Sequence, residues 1–150
     1  MRAANNDDFL PLLRELARCY QAFESHSAAH IRTLGLTPVQ FDLVATLGNT
    51  AGMSFKELGE KTLITKGTLT GVVDRLVAKR LVRRVASESD GRSQIVRLTG
   101  KGEALFARVF PAHLAHLRKA FTTFGADELA QVHTSLTRLR LAFVQAQEAP

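Results

Sequence analysis

Residues 65–79, TKGTLTGVVDRLVAK, carry side chains suited to gripping a polyanion rather than to making or breaking bonds. On a helical wheel Leu69, Val72, Val73 and Leu76 fall on one side, at the i, i+3, i+4, i+7 spacing of a face that packs on a core. The opposite side carries Gly67, Thr70, Gly71, Asp74, Arg75 and Ala78. Two glycines in a helix interior cost roughly 1 kcal/mol each against alanine, so a helix that merely faced solvent would have little reason to keep them. They make sense where another body must come close. A helix face without side chains, flanked by Lys66, Thr68, Thr70 and Arg75, fits the major groove of a duplex: the backbone seats deeply while hydroxyls and cations reach phosphates and base edges. Tight packing against another helix is the competing use of the same glycines.

Other chemistry-bearing residues are sparser. His26 and His30 stand at i, i+4 and His113 and His116 at i, i+3, spacings that put two imidazoles on one helix face and supply half of a zinc-type site. Two ligands are not a site, so no metal is expected and the histidines read as surface or pocket-lining residues. Cys19, beside Arg18, would need a low thiol pKa and solvent access to act as a thiolate, and a small buried residue is the expectation for it. As the single cysteine it also excludes an intrachain disulfide. Ser87, Glu88, Ser89 and Asp90 fall on a loop with no histidine base nearby. Glycine-rich phosphate loops, a GxSxG elbow and a carboxylate pair with a fixed partner are all missing from the sequence. No catalytic residue and no cofactor are expected; the chain does not read as an enzyme.

The elements that must position the glycine-notched helix are well signalled. Ser54 three residues before Glu57 is a capping box with Met53 and Leu58 as its hydrophobic staple, which predicts a helix over 55–61. Thr65 is placed to cap the next helix, with Ile64 and Leu69 as staple. Only residues 62–64 separate the two, a helix-turn-helix spacing. Two β-rich arms follow, 81–86 and 94–98, joined by a polar tip containing Asp90-Gly91, a hairpin signal. Arg83, Arg84, Arg92 and Arg97 load this ribbon with positive charge, and an arginine at its tip is placed to enter a neighbouring minor groove. Asp90 reads as the internal partner that orients Arg92.

Charge placement agrees. The chain has a net charge of +6, yet residues 61–101 hold ten Lys/Arg against three Asp/Glu while the remainder holds ten against eleven. Positive charge is therefore local to the proposed reading head, as expected of a surface that binds double-stranded DNA. The same stretch has no aromatic residue, which argues against a single-stranded RNA reader that stacks bases.

The ordered segments VVDRL, LVRR, DGR and LTGKG resemble those of the MarR family of multiple-antibiotic-resistance-type regulators, and the similarity runs over nearly the whole chain. The resemblance implies a homodimeric winged-helix repressor or activator. By it, Lys66, Thr68 and Thr70 carry base or phosphate contacts, Arg75 the DNA backbone and Arg92 the minor groove. The DNA-facing set so expected is Ser54, Thr65, Lys66, Gly67, Thr68, Thr70, Gly71, Arg75, Arg84, Asp90 and Arg92. One departure stands out: the family usually has glycine where Arg80 follows the recognition helix. If that residue needs φ > 0, Arg80 is mildly strained.

The resemblance also implies a small organic effector, an aromatic or phenolic acid, held between the dimer helices and the reading head. Arg14, Tyr20, Phe23, His26, His30 and Phe41 are the candidate lining residues. Peroxide-sensing members of the family carry a cysteine in the first helix, but counting back from Thr37-Pro38-Val39-Gln40 places Cys19 several residues too late to match it.

At 150 residues and 45% apolar content the chain reads as one domain, 1–150, mainly α with a small β wing. Phe9, Leu12, Leu13, Leu16, Tyr20 and Phe23 mark a long amphipathic helix over 7–34, with Asp7 and Asp8 suited to its N-terminal dipole. Gly35 stops it. Thr37, Pro38 and Gln40 open another helix, with Leu36 and Phe41 as staple. A winged helix-turn-helix lobe over 37–99 follows, and then helices over 100–147, the last with Leu129, Val132, Leu136, Leu139 and Phe143 on an a/d seam. The terminal helices are assigned to a two-fold homodimer interface, so that two reading heads match a pseudo-palindromic operator. No apolar run is long enough to span a bilayer and the N-terminus lacks a secretion-signal layout, so no membrane partner and a cytoplasmic location are expected.

Overall fold

Reciprocal caps set where the helices start. In the computed structural model, which describes residues 8–62 and 64–149, Thr37 Oγ1 accepts from the Gln40 N–H and Gln40 Oε1 accepts from the Thr37 N–H, both at 3.2 Å. Helix α2, Pro38–Leu47, begins there. Ser54 and Glu57 exchange the same pair of bonds at 3.2 and 3.0 Å and open α3, Phe55–Thr62. Helix α4, Lys66–Ala78, has Thr65 at its N-cap as expected, but the Thr65 hydroxyl donates to the Thr68 hydroxyl at 3.2 Å rather than accepting from a backbone N–H. Upstream, α1 spans Leu10–Thr33 and ends before Gly35, whose φ of +80° is left-handed. Asp8 precedes this helix's N-cap Phe9, and Asp7, assigned with it to the helix start, lies outside the described residues.

The exit from α4 is a Schellman motif. The Leu81 N–H donates to the Leu76 carbonyl and the Arg80 N–H to the Val77 carbonyl, both at 2.9 Å. Arg80 has φ +60°, the left-handed conformation that the glycine usual here in the resembled family had pointed to, so a side chain sits there under mild strain. From there the chain enters β2, Val82–Ala86, which pairs antiparallel with β3, Gln94–Leu98, from Val82 opposite Leu98 to Ala86 opposite Gln94. A third strand escaped the sequence reading: β1, Met53–Ser54, pairs with β3 at Val96 and Ile95, giving the order β1-β3-β2. Two residues are too few to show alternation, and their cap signal masked them.

Helix α5, Gly100–Arg118, is locked to the end of α4 by the LTGKG segment. The Thr99 N–H donates to Leu81 O at 3.0 Å, the Thr99 hydroxyl donates to Arg80 O at 2.6 Å, and the Gly102 N–H donates back to Thr99 Oγ1 at 3.1 Å. A Cβ on Gly102 would lie 2.0 Å from Leu81 O, so only glycine allows this approach.

The main core joins Leu43, Val44 and Leu47 of α2, Leu58 of α3, the Leu69, Val72, Val73 and Leu76 stripe of α4, Val82 and Val96 of the sheet and Phe106 of α5. Ile31, Leu36, Phe41 and Val109 form a smaller core between α1, α2 and α5. The chain divides into two compact units, Met1–Leu117 and Arg118–Pro150. The second holds a short 3-10 turn, Lys119–Phe121, and α6, Ala126–Glu148, whose first turn is capped by the Gly125 N–H donating to Glu128 Oε2 at 2.8 Å. No residue of α6 is buried. Among the described residues no helix is long and apolar enough to cross a membrane.

Candidate nucleic-acid interface and an adjoining histidine cluster

Helix α4 turns its four buried apolar residues into the core and leaves the other face clear. A Cβ built on Gly67 or Gly71 meets nothing within 4 Å, so neither glycine serves packing inside this chain. Lys66, Thr68, Thr70 and Arg75 around them are exposed. The rival use of the glycines, close helix packing, is thus excluded within one subunit. Beside the notch a groove of about 280 Å³ is lined by Phe55, Lys56, Lys66, Leu69 and Thr70. Lys56 was not singled out from the sequence; only the α3–α4 packing brings it to this face.

The wing's residues divide into two kinds. Arg92 and Arg83 are exposed. Asp90 shapes the tip: its Oδ1 accepts from the Arg92 N–H at 3.1 Å and its Oδ2 from the Ser93 hydroxyl at 3.0 Å. It therefore orients Arg92 through the backbone and leaves the guanidinium open. Arg84 is held instead. It pairs with Asp74 of α4 and lies 5.8 Å from the centroid of the Phe55 ring, tying wing, α4 and α3 together. That is the one carboxylate–cation pair among the described residues, and the side chains of Lys66, Arg75 and Arg92 are exposed. Ser54 and Thr65 are fixed as helix-start residues, with Ser54 half-buried and Thr65 exposed.

Of the candidate effector-lining residues, the structure gathers three. His26 and His30 of α1 meet His113 and His116 of α5, with Phe41 of α2 edge-on to His113 at 4.6 Å. His26 stacks on His116 at 4.0 Å between centroids and His30 on His116 at 4.2 Å, nearly parallel in both cases. His30 Nδ1 and His113 Nδ1 are 2.9 Å apart, and His113 Nε2 lies 3.1 Å from Ser27 Oγ. His116 Nε2 donates to His26 O at 3.0 Å. The two sequence pairs are thus one cluster across α1 and α5, a meeting that helical spacing alone does not reveal. Burial, followed by the three neighbouring imidazoles, pushes His113 below the usual histidine range. No group of three or more His, Cys, Asp or Glu among the described residues is arranged to hold a metal.

The remaining candidates lie elsewhere. Tyr20 is 58% exposed and Phe23 and Arg14 are exposed along α1. The Tyr20 hydroxyl donates to Glu24 Oε1 at 2.8 Å, a bond that raises its pKa. Cys19 is exposed, not the buried residue expected, because the N-terminal half of α1 buries nothing within this chain.

Comparison with known proteins agrees with this geometry. A model of the MarR family matches residues 34–93. The HTH-type transcriptional regulator MhqR of Bacillus subtilis is 31% identical over 132 residues, 88% of this chain and 91% of its own length. AbsC, a MarR family transcriptional regulator from Streptomyces coelicolor, superimposes with a TM-score of 0.83 at 22% identity over 93% of this chain and 97% of its own. A mutant MarR from E. coli, solved in complex with operator DNA, gives a TM-score of 0.77 at 24% identity over 91% of this chain and 99% of its own. The fold shared with these structures is the winged helix-turn-helix.

Proposed function

This chain belongs to the MarR family of DNA-binding transcriptional regulators, and we propose that it works as a homodimeric, effector-responsive repressor of a pseudo-palindromic operator. The open glycine notch at Gly67 and Gly71 is the observation that carries the reading. In it α4 enters the major groove, with Lys66, Thr68, Thr70 and Arg75 on phosphates and base edges. Arg92 enters the adjoining minor groove. Asp90 and Arg84 act on DNA indirectly, one by shaping the tip and the other by pinning the wing to α4 through Asp74. Ser54 and Thr65 belong to the same surface as the first residues of the two helices.

Two heads are needed because one presents few base contacts. A two-fold dimer sets half-site centres one helical turn apart, about 34–36 Å. What supports dimerisation is the exposed apolar seam of α6, where Leu136 is 51%, Val132 46% and Phe143 46% exposed. An aromatic or phenolic acid is the effector class proposed, with Arg14, Tyr20, Phe23, His26, His30 and Phe41 the residues assigned to it. Such a ligand changes DNA affinity only through the spacing of heads that it favours.

Fluorescence anisotropy against the protein's own upstream DNA, at two salt concentrations with nonspecific competitor, tests the reading. Competitor-resistant binding that weakens with salt is expected. Arg92→Ala is expected to weaken it and to flatten the salt slope by about one phosphate equivalent. Binding abolished by competitor would sink the operator assignment.

A further inference from the structure

Four of the five histidines in the chain sit in the α1–α5 cluster, and their nitrogen geometry fixes how many protons it can hold. A hydrogen bond between His30 Nδ1 and His113 Nδ1 at 2.9 Å exists only if one ring carries a proton there and the other a lone pair. An imidazolium carries protons on both nitrogens. His30 and His113 therefore cannot both be charged in this arrangement, since the second proton would set two N–H groups head to head. The stacks at 4.0 and 4.2 Å likewise disfavour adjacent cations. Among the described residues no group of three or more His, Cys, Asp or Glu is arranged to hold a metal, these imidazoles included.

The charged neighbours that act on His113 are His26 and His30 from α1 and His116 from α5. Helix α2 contributes the uncharged Phe41 edge and α1 the Ser27 hydroxyl. The cluster is also joined to the reading head: α5 starts at the wing, its first turn bound to Arg80 O and Leu81 O through Thr99, and Phe41 sits on the first turn of α2.

We propose that this imidazole stack is a proton-operated latch between α1 and α5, closed while at least one of His30 and His113 is neutral and forced open in mild acid, so that operator affinity falls. The last step rests on the DNA reading above; the opening itself does not. The sign follows from linkage. Because His113 sits below its usual value of 6.5 in the folded chain, the unfolded chain binds more protons as the pH drops through that value. The stability that the closed cluster contributes is complete above that pH and is lost progressively below it, towards the depressed folded value. Acid ordinarily does the opposite to DNA affinity, since added positive charge tightens phosphate binding.

Thermal unfolding without DNA, and operator anisotropy, both at constant ionic strength and at about pH 7.5 and about pH 5.5, test the latch in wild type, His113→Gln, His30→Gln and His133→Gln. Wild type and His133→Gln are expected to lose roughly 3–5 °C in Tm and roughly tenfold in affinity on acidification. His113→Gln and His30→Gln are expected to lose much less of either. If His113→Gln does not fold, the half-buried His30 position carries the test alone. Wild-type binding that is unchanged or tighter in acid overturns the proposal, and so does an equal acid loss in His30→Gln. A zinc-induced rise in wild-type Tm that His30→Gln abolishes would assign the cluster to a metal and overturn it too. Failure of operator binding at the higher pH strikes the DNA reading instead, and the Tm comparison still decides whether the latch exists.

Discussion

The reading head and helix α6 treat their apolar residues in opposite ways. In the head, the stripe of α4 is sealed against α2, α3 and the sheet, with Leu69, Val73 and Leu76 at most 1% exposed. In α6 the seam is equally regular, yet Leu129, Val132, Leu136 and Phe143 are all exposed. Periodicity reports that a face will be covered; it does not say by what. A single helix face left in water gains no burial to offset the entropy of ordering it, which is why the proposed dimer interface is placed on α6. The head's open face is polar and notched, with no neighbour within 4 Å of a Cβ built at Gly67 or Gly71.

The sharpest way to break this comparison is a charge on the seam. Leu136→Glu adds a carboxylate to an exposed position, so a chain whose α6 has no partner should barely notice it. If α6 forms the dimer interface, light scattering should report a monomer, and operator affinity should fall by at least about a hundredfold as the second head is lost. A variant that remains dimeric with full affinity would remove α6 from the interface. Within the head the largest effect belongs to the α4–α5 joint. Gly102→Ala drives a Cβ to 2.0 Å from Leu81 O, and a backbone carbonyl in a Schellman exit cannot swing aside. Urea denaturation should show roughly 2–3 kcal/mol of lost stability. A loss under about 0.5 kcal/mol would mean that the joint is looser than its hydrogen bonds imply.

The same contrast explains what could be read in advance. Local signals were legible: both reciprocal caps, the hairpin arms and the α4 core stripe follow from residue types within a few positions of one another, whereas the left-handed Arg80 was signalled only by the glycine usual at that place in the resembled family. What needed the folded chain was every feature made by residues far apart. Strand β1 exists only because β3 lies beside it. The histidine cluster joins residues 83 to 90 positions apart, and its two halves each looked like an incomplete site. The pairing of Arg84 with Asp74, ten positions away on another element, is likewise invisible to helical or strand periodicity. Cys19, expected to be a small buried residue, is exposed because α1 buries only Ser27 and Ile31 of its C-terminal half.

Gly71→Ala separates folding from reading on the head's open face. With no neighbour within 4 Å of the new methyl group, the helix should gain about 0.5–1 kcal/mol, seen as a higher urea midpoint. The same methyl would stand between α4 and the duplex, and anisotropy should show roughly tenfold weaker binding, since each good base contact is worth about 1–3 kcal/mol. A variant that is more stable and binds equally well would show that the notch is not where DNA approaches.

The smallest effect tests whether the head tolerates strain for a reason. Arg80 sits at φ +60°, where a side chain costs roughly 1 kcal/mol or more that glycine avoids. Glycine's greater freedom in the unfolded chain returns part of this, so Arg80→Gly should stabilise by only about 0.5 kcal/mol. The backbone carbonyls of Arg80 and Leu81 that hold Thr99 are unaffected by the substitution, so the joint to α5 should persist. What sharpens the comparison is the paired DNA titration. A gain in stability with an unchanged salt slope would make Arg80 a passive departure from glycine. A gain accompanied by a slope shallower by about one phosphate equivalent would make it an added DNA contact, held in a strained backbone at the edge of the reading head.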